Sequence, residues 1–178
     1  MLISDPSKTL ILGGARSGKS RYAEELAKAT KKKRIYIATA TVFDDEMQQR
    51  VEQHKKDRQN QHWETIEEPL ALAAAIKQND QYEHVILVDC LTLWLNNLLA
   101  EKDQSRLQTE VAALLDCLKD IKGNIIFVSN EVGQGIIPLG ELTRKFVDET
   151  GRLHQQLAQQ VDHVVLMVAG LPLMVKES

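Results

Sequence analysis

Hydrophobic residues occur along this chain in short runs that do not alternate with polar residues. Stretches rich in Ile, Val and Leu, with few polar residues inside them, are typical of strands that are buried on both faces of a sheet. We therefore predict strands at five places, which are Thr9–Leu12, Arg34–Ala38, Val85–Val88, Ile125–Val128 and Val164–Val168.

Longer stretches with helical spacing separate these runs. Alternating strands and helices predict right-handed crossovers and a parallel sheet with helices on both faces. Ala169-Gly170 allows a tight reversal, so we expect Leu171–Val175 to be an antiparallel edge strand. We expect a single α/β domain over residues 1–178. The predicted helices are Lys19–Ala29, Asp45–Arg58, Pro69–Lys77, Leu91–Ala100, Leu107–Ile121 and Leu139–Gln160.

Composition and charge exclude several classes of protein. The net charge of -3 and the pI near 6.0 argue against a protein that binds nucleic acid through bulk positive charge. The apolar runs are strand-sized, which argues against a membrane span, and Met1–Lys8 lacks the apolar core of a signal peptide. Cys90 and Cys117 lie in apolar contexts without C-x-x-C spacing, which predicts buried free thiols in a reducing cytoplasm.

One motif identifies a ligand. Gly13-Gly14-Ala15-Arg16-Ser17-Gly18-Lys19-Ser20 fits G-x-x-x-x-G-K-[ST] and lies between a predicted strand and a predicted helix. In that context consecutive N–H groups cradle phosphate, Lys19 reaches the β- and γ-phosphates, and the Ser20 hydroxyl binds Mg²⁺. The alternative is a chance glycine turn, which this context disfavours. We expect a P-loop NTPase fold of the RecA-like type that binds a nucleoside triphosphate.

A carboxylate follows the third apolar run. Asp89 ends the sequence Val85-Ile86-Leu87-Val88-Asp89, and the carboxyl ends of parallel strands are where such folds bind ligands. In P-loop proteins an acid at this position joins the Mg²⁺ shell. Many strands also end in Asp simply because it starts a turn. Behind a phosphate loop we favour the metal-binding interpretation.

The charged segment Asp44–Arg58 is predicted to be a helix. Asp45 and Gln48 have the spacing of a capping pair, and His54 shares one face with apolar residues. Lys55, Lys56 and Arg58 follow it. From the residues alone, a solvated charged helix with an incidental histidine is the favoured interpretation.

Two glycines lie close together in the segment Ser129–Pro138, after the fourth run. Such a loop at the carboxyl edge of a sheet can bind substrate or be an ordinary connection. Cationic side chains further on, on the last predicted helix, could meet phosphate or be surface charge. These side chains are Arg144, Lys145 and Arg152.

Four histidines lack the spacing of metal ligands, and we interpret them as structural. They are His62, His84, His154 and His163.

Several stretches together resemble one family, the bifunctional adenosylcobinamide kinase / adenosylcobinamide-phosphate guanylyltransferases of cobalamin assembly. The similarity spans nearly the whole chain and keeps the order and spacing of the motifs. It covers the phosphate loop, Tyr36-Ile37-Ala38-Thr39-Ala40, Asp44 through Arg58, Ser129-Asn130-Glu131-Val132-Gly133-x-Gly135-Ile136-x-Pro138, Phe146-Val147-Asp148 through Arg152, and Gln155-x-Leu157-Ala158.

The resemblance implies two reactions at one site. ATP or GTP would phosphorylate the terminal hydroxyl of the aminopropanol arm of adenosylcobinamide, and GTP would then transfer GMP onto that phosphate and release pyrophosphate. It implies His54 as the transiently guanylylated residue, Lys19 as catalytic, Ser20 and Asp89 as Mg²⁺ ligands, and a homotrimer. The implied nucleotide contacts are Gly13, Gly14, Ala15, Arg16, Ser17, Gly18, Lys19, Ser20, Ala38, Thr39, Ala40, Lys55, Lys56, Asp57, Arg58, Glu67 and Asp89.

The residue types fit this chemistry. A neutral imidazole is a competent nucleophile near neutral pH, and attack at the α-phosphorus divides one displacement into two. We hypothesise that Lys55, Lys56 and Arg58 disfavour the imidazolium form of His54. Two alternatives stay open from the sequence: a P-loop kinase of another small metabolite without a covalent step, and a nucleotide-switched binding module.

Overall fold

The computed structural model of the protein describes residues 6–41, 62–103 and 105–177, so the predicted helix Asp45–Arg58 lies outside the described residues. The described residues form one seven-stranded sheet. Its strands are β1 (Lys8–Gly13), β2 (Lys33–Ala38), β3 (Trp63–Glu67), β4 (His84–Asp89), β5 (Asn124–Asn130), β6 (His163–Val168) and β7 (Leu171–Glu177).

The sheet is parallel except at its C-terminal edge. The strand order is β3-β2-β4-β5-β1-β6-β7, and β7 pairs antiparallel with β6. The turn between them uses left-handed backbone at Ala169, with φ 51°, and at Gly170, with φ 82°. Both the mostly parallel sheet and the antiparallel edge strand are therefore confirmed.

The helices follow the predicted periodicity, with differences at their ends. The helix predicted from Pro69 begins at Leu72, because the Glu68 carboxylate accepts hydrogen bonds from the N–H groups of Leu70 and Ala71, at 3.0 and 2.7 Å, and forms a turn there. The described helices are α1 (Lys19–Ala29), α2 (Leu72–Asn79), α3 (Leu91–Ala100), α4 (Ser105–Cys117), a 3₁₀ turn (Leu118–Asp120) and α5 (Glu141–Gln160).

Strand β3 was not predicted. It pairs parallel with β2 at the other edge of the sheet, and three of its five residues are exposed. Glu64 and Glu67 interrupt its apolar residues, so β3 lacks the uninterrupted apolar run by which strands buried on both faces are predicted. Its Trp63 ring meets the Tyr36 ring edge-on, with centroids 6.0 Å apart.

The core has a layer on each face of the sheet. Helix α1 packs Ala23, Leu26 and Ala27 against one face, and α2 to α5 cover the other around fully buried Trp94 and Phe127. Burying a large apolar side chain contributes about 1.5–3 kcal/mol. These layers hold the strands in a fixed register, which sets the positions of the strand ends.

Both thiols are buried and free, as the sequence predicts. Burial raises the pKa of Cys117 to about 11. Burial, and then the charge of Asp89, raises the pKa of Cys90 to about 11 as well. Since the thiolate is the reactive form, both residues act as small apolar side chains.

Candidate active site

The residues predicted to bind nucleotide converge at the carboxyl ends of the parallel strands. In the sheet register Ala38 lies between Glu67 on one side and Asp89 on the other. Gly13 lies beside Asn130 at the end of β5. Open α/β sheets bind their ligands at this edge. The fold thus brings the phosphate loop and the predicted carboxylates to one side of the molecule.

The loop from Gly13 to Ser20 has the backbone of an anion cradle. Gly18, with φ 95°, precedes α1, and no side chain in the described part of the chain caps the helix there. The first N–H groups of a helix then remain available to an anion. Arg16 is also left-handed, with φ 56°, and the Ser17 N–H donates to the Gly14 carbonyl at 3.2 Å. A cleft of about 260 Å³ lies over residues 16–21.

The two leading glycines have different surroundings. A Cβ on Gly13 would lie 2.6 Å from the Met167 carbonyl oxygen and 2.7 Å from Ser17 Oγ. A Cβ on Gly14 would meet no heavy atom of the described residues within 4 Å. Close packing therefore requires glycine at the first position, whereas the second position faces open space.

Lys19 is held inside this loop. Its side chain is 7% exposed, and Nζ donates to the Gly14 carbonyl oxygen at 2.7 Å. Burial lowers the pKa of Lys19, although the negative charge of Asp89 opposes the shift. Nζ donates to a carbonyl rather than to a carboxylate, which leaves the charge of the ammonium group available to a phosphate anion.

Asp89 is oriented by Tyr36, a residue to which the sequence alone gives no individual role. The buried Tyr36 hydroxyl donates to Asp89 Oδ2 at 3.1 Å. In the sequence, Tyr36 resembles the apolar residues around it in β2. Its contact with Asp89 becomes visible only from the register between β2 and β4. Among the residues that the structure describes, Oδ1 of the same carboxylate has no hydrogen-bond partner, so it is available to another ligand.

These donors fit a Mg²⁺ ion better than a transition metal. Mg²⁺ is bound by one or two protein oxygens together with substrate phosphates and water, and Ser20 and Asp89 could supply those oxygens. Among the described residues, no three His, Cys, Asp or Glu side chains form a cluster that could hold a metal ion.

Thr39 joins the ends of β2 and β4. Its buried hydroxyl donates to the Cys90 carbonyl at 2.7 Å and accepts from the Cys90 N–H at 3.0 Å. The Asn97 amide donates to the Thr39 carbonyl at 2.7 Å. This network fixes the turn at residues 38–40, with the Thr39 side chain directed into the protein.

A buried pair ties α5 to the end of β5. His154 Nε2 lies 2.7 Å from Ser129 Oγ. Burial lowers the pKa of His154, although the charge of Glu131 opposes the shift. A neutral imidazole at this point anchors the glycine loop that follows Ser129.

Other predicted residues have simpler surroundings. Arg144 donates to the carbonyls of Pro138 and Leu139, and Arg152 pairs with Glu149 at 2.6 Å. Both therefore have partners within their own segment. The residues that fall outside the described part of the chain are His54, Lys55, Lys56, Asp57 and Arg58, and their placement stays a prediction.

Comparison with known proteins places this chain in a family. The profile described as "Cobinamide kinase / cobinamide phosphate guanyltransferase" matches residues 9–175. The chain belongs to this family. This confirms the family resemblance and the prediction of an enzyme of cobalamin biosynthesis.

Two relatives of this family match over nearly their whole length. The bifunctional adenosylcobalamin biosynthesis protein CobP of Pseudomonas aeruginosa is 53% identical over 169 residues, which span 95% of this chain and 97% of the relative. The bifunctional adenosylcobalamin biosynthesis protein CobU of Escherichia coli K12 is 36% identical, over 94% of this chain and 98% of the relative.

Solved structures confirm the fold. A KaiC-like protein from Pyrococcus horikoshii OT3 matches with a TM-score of 0.55 at 10% identity, over 92% of this chain and 72% of that chain. The RadB recombinase matches with a TM-score of 0.54 at 17% identity, over 90% and 73%. The fold is therefore that of a RecA-like P-loop NTPase. None of the helices in the described part of the chain is both long and apolar enough to span a membrane.

Proposed function

We propose that this chain phosphorylates adenosylcobinamide with ATP or GTP and then transfers GMP from GTP to the product, giving adenosylcobinamide-GDP and pyrophosphate. The observation that carries the proposal is the family match over residues 9–175, which includes an uncapped phosphate loop with a buried lysine. We place both reactions in one nucleotide-binding domain of a cytoplasmic enzyme. The buried free thiols support that location.

In the first reaction the loop binds the triphosphate and orients its γ-phosphorus. The N–H groups of residues 14–20 and Lys19 offset the charge that moves onto the leaving nucleoside diphosphate. Mg²⁺, held by Ser20 and Asp89, would supply further positive charge beside the β- and γ-phosphates. Tyr36 supports this role because it holds Asp89 by one oxygen.

In the second reaction we assign His54 as the nucleophile. Its neutral ring nitrogen would attack the α-phosphorus of GTP, forming an N–P bond while the bond to pyrophosphate breaks. A phosphate oxygen of adenosylcobinamide phosphate would then attack the same phosphorus and release His54. Lys55, Lys56 and Arg58 would favour the neutral imidazole. The family motif supports this assignment.

The test is a pair of product assays with purified enzyme. Adenosylcobinamide is incubated with γ-labelled ATP or GTP, and adenosylcobinamide phosphate with α-labelled GTP, and labelled corrinoids are separated by chromatography. Lys19→Ala should lose both activities by about 100-fold or more, because both need the same cradle. The matched control Lys102→Ala removes an exposed lysine and should keep both.

Each outcome has a clear meaning. Phosphorylation of adenosylcobinamide without guanylyl transfer would favour a plain kinase. Nucleotide binding without any labelled product would favour a binding module. Loss of only one activity in Lys19→Ala would contradict a shared cradle.

We also propose that the chain assembles as a homotrimer. Among the exposed apolar side chains of the described residues, Leu139 is 97% exposed before α5, and Leu171, Leu173 and Val175 form a stripe on the edge strand β7. Exposed apolar patches and uncovered edge strands are normally covered by a partner. Light scattering of the wild type should give a mass three times that of the chain. Leu173→Lys should lower the measured mass. A monomeric wild type would contradict the proposal.

A further inference from the structure

A second cleft adjoins the phosphate loop on the β6 side. It is an open cleft of about 540 Å³ between the phosphate loop, the glycine loop after β5 and the end of β6. Drug-sized ligands occupy pockets of roughly 300–1,000 Å³, so this volume admits one arm of a large substrate. Gly14 and Ser17 line this cleft, and Ser17 also lines the cleft over the phosphate loop, so the two clefts are adjacent.

The walls of this cleft are chemically uneven. Val132, Leu166, Met167 and Val168 make most of it apolar. Its floor is rigid, because the Gly170 N–H donates to the Ser17 carbonyl at 3.0 Å and so ties the β6–β7 turn to the phosphate loop. Among the described residues that line it, Glu131 is the one carboxylate. Such walls fit a short aliphatic chain that ends in a hydrogen-bond donor.

Glu131 is held in place by its backbone and by one of its carboxylate oxygens. Its N–H donates to the Gly13 carbonyl at 2.9 Å, which fixes it beside the first residue of the loop. Its Oε1 accepts the Gly133 N–H at 2.6 Å. Among the described residues Oε2 has no hydrogen-bond partner. A half-buried carboxylate with one oxygen fixed and one free is suited to accept a proton.

From this arrangement we propose that the cleft binds the hydroxyl-bearing aliphatic arm of the acceptor and that Glu131 is the general base of the phosphorylation step. The inference rests on the proposed function, which supplies a primary or secondary alcohol as acceptor and a nucleoside triphosphate as donor. We place the corrinoid ring outside the cleft, because a corrinoid is much larger than the drug-sized ligands that pockets of this volume hold.

The step balances as a simple displacement. Glu131 Oε2 takes the proton of the acceptor hydroxyl while the oxygen lone pair forms a bond to the γ-phosphorus. The bond between that phosphorus and the β–γ bridging oxygen breaks, and its electron pair leaves with the nucleoside diphosphate. The proton on Glu131 then passes to water. Guanylyl transfer has a phosphate oxygen as acceptor, which carries no proton to remove, so it needs no such base.

This difference gives a sharp test. Glu131→Gln keeps an oxygen for the Gly133 N–H but cannot take a proton. We expect phosphorylation of adenosylcobinamide to fall about 100-fold or more. Guanylyl transfer to pre-formed adenosylcobinamide phosphate, and binding of a fluorescent GTP analogue, should stay close to wild type. Glu83→Gln, which removes an exposed carboxylate elsewhere, is the matched control for charge.

A second variant tests the cleft. Val132→Trp fills it and should raise the KM for both acceptors at least tenfold without changing GTP binding. Equal phosphorylation by wild type and Glu131→Gln would overturn the assignment of the base, as would a parallel loss of both reactions and of GTP binding. An unchanged acceptor KM in Val132→Trp would overturn the location. Absence of both reactions in the wild type would instead contradict the proposed function.

Discussion

Replacing Gly13 by alanine tests the packing of the phosphate loop. The new methyl group would lie 2.6 Å from the Met167 carbonyl oxygen and 2.7 Å from Ser17 Oγ. Ser17 could rotate its hydroxyl away, but Met167 offers backbone that belongs to β6. Gly13 also has φ 153°, where a side chain is strained.

The two costs can be estimated separately. A non-glycine residue in a sparsely populated backbone region costs about 1–3 kcal/mol. Forcing an extra carbon into a packed site costs about 1–3 kcal/mol. Their sum of roughly 2–6 kcal/mol is a large part of the 5–15 kcal/mol that typically stabilises a domain. With a urea m-value of about 2 kcal/mol/M, the unfolding midpoint should fall by roughly 1 M or more.

The assay is urea unfolding followed by circular dichroism, with Gly14→Ala as the matched control. A Cβ on Gly14 meets nothing within 4 Å, and its φ lies outside the strained region. We expect that variant to stay within about 1 kcal/mol of wild type, with a small gain favoured by the stiffer unfolded chain. Equal midpoints for the two variants would refute the reasoning.

Two further predictions concern Asp89 and His154. Tyr36→Phe removes the hydroxyl that lies 3.1 Å from Asp89 Oδ2. A hydrogen bond to a charged group contributes about 1.5–3 kcal/mol, so the Mg²⁺ concentration for half-maximal nucleotide binding should rise about tenfold or more. The control Tyr82→Phe should leave that concentration unchanged. Because burial lowers the pKa of His154, the unfolded chain takes up the proton first. The neutral His154 side chain therefore makes its full contribution to the free energy of unfolding above pH 6.5 and loses it as the pH falls below that value. Wild type should lose more stability on acidification than His154→Gln does. Equal losses would contradict this prediction.

The sequence predicts most of this fold because its strands are buried on both faces. Such strands read as uninterrupted apolar runs, and every run from Thr9 to Val168 became a strand of the sheet. Strand β3 escaped prediction because an edge strand needs little apolar surface. The start of α2 was misplaced by three residues because the Glu68 side chain forms the preceding turn through local hydrogen bonds to the backbone, which hydrophobic periodicity does not reveal.

The site was only partly predictable, for a similar reason. The phosphate loop is a local motif, so its spacing is visible in the sequence. Tyr36 with Asp89, and Ser129 with His154, are pairs from distant elements, and only the strand register and helix packing bring them together. The role of His54 came from the family resemblance, since periodicity favoured an incidental histidine on a charged helix.

The most direct test of the account is the mass of the intact protein after exposure to Mg²⁺ and GTP without acceptor. The account predicts an added GMP residue that peptide mapping under alkaline conditions places on His54. It should disappear when adenosylcobinamide phosphate is added and be absent from His54→Ala, while His62→Ala should carry it. An adduct on another residue, or guanylyl transfer at the wild-type rate by His54→Ala, would contradict the proposed covalent step.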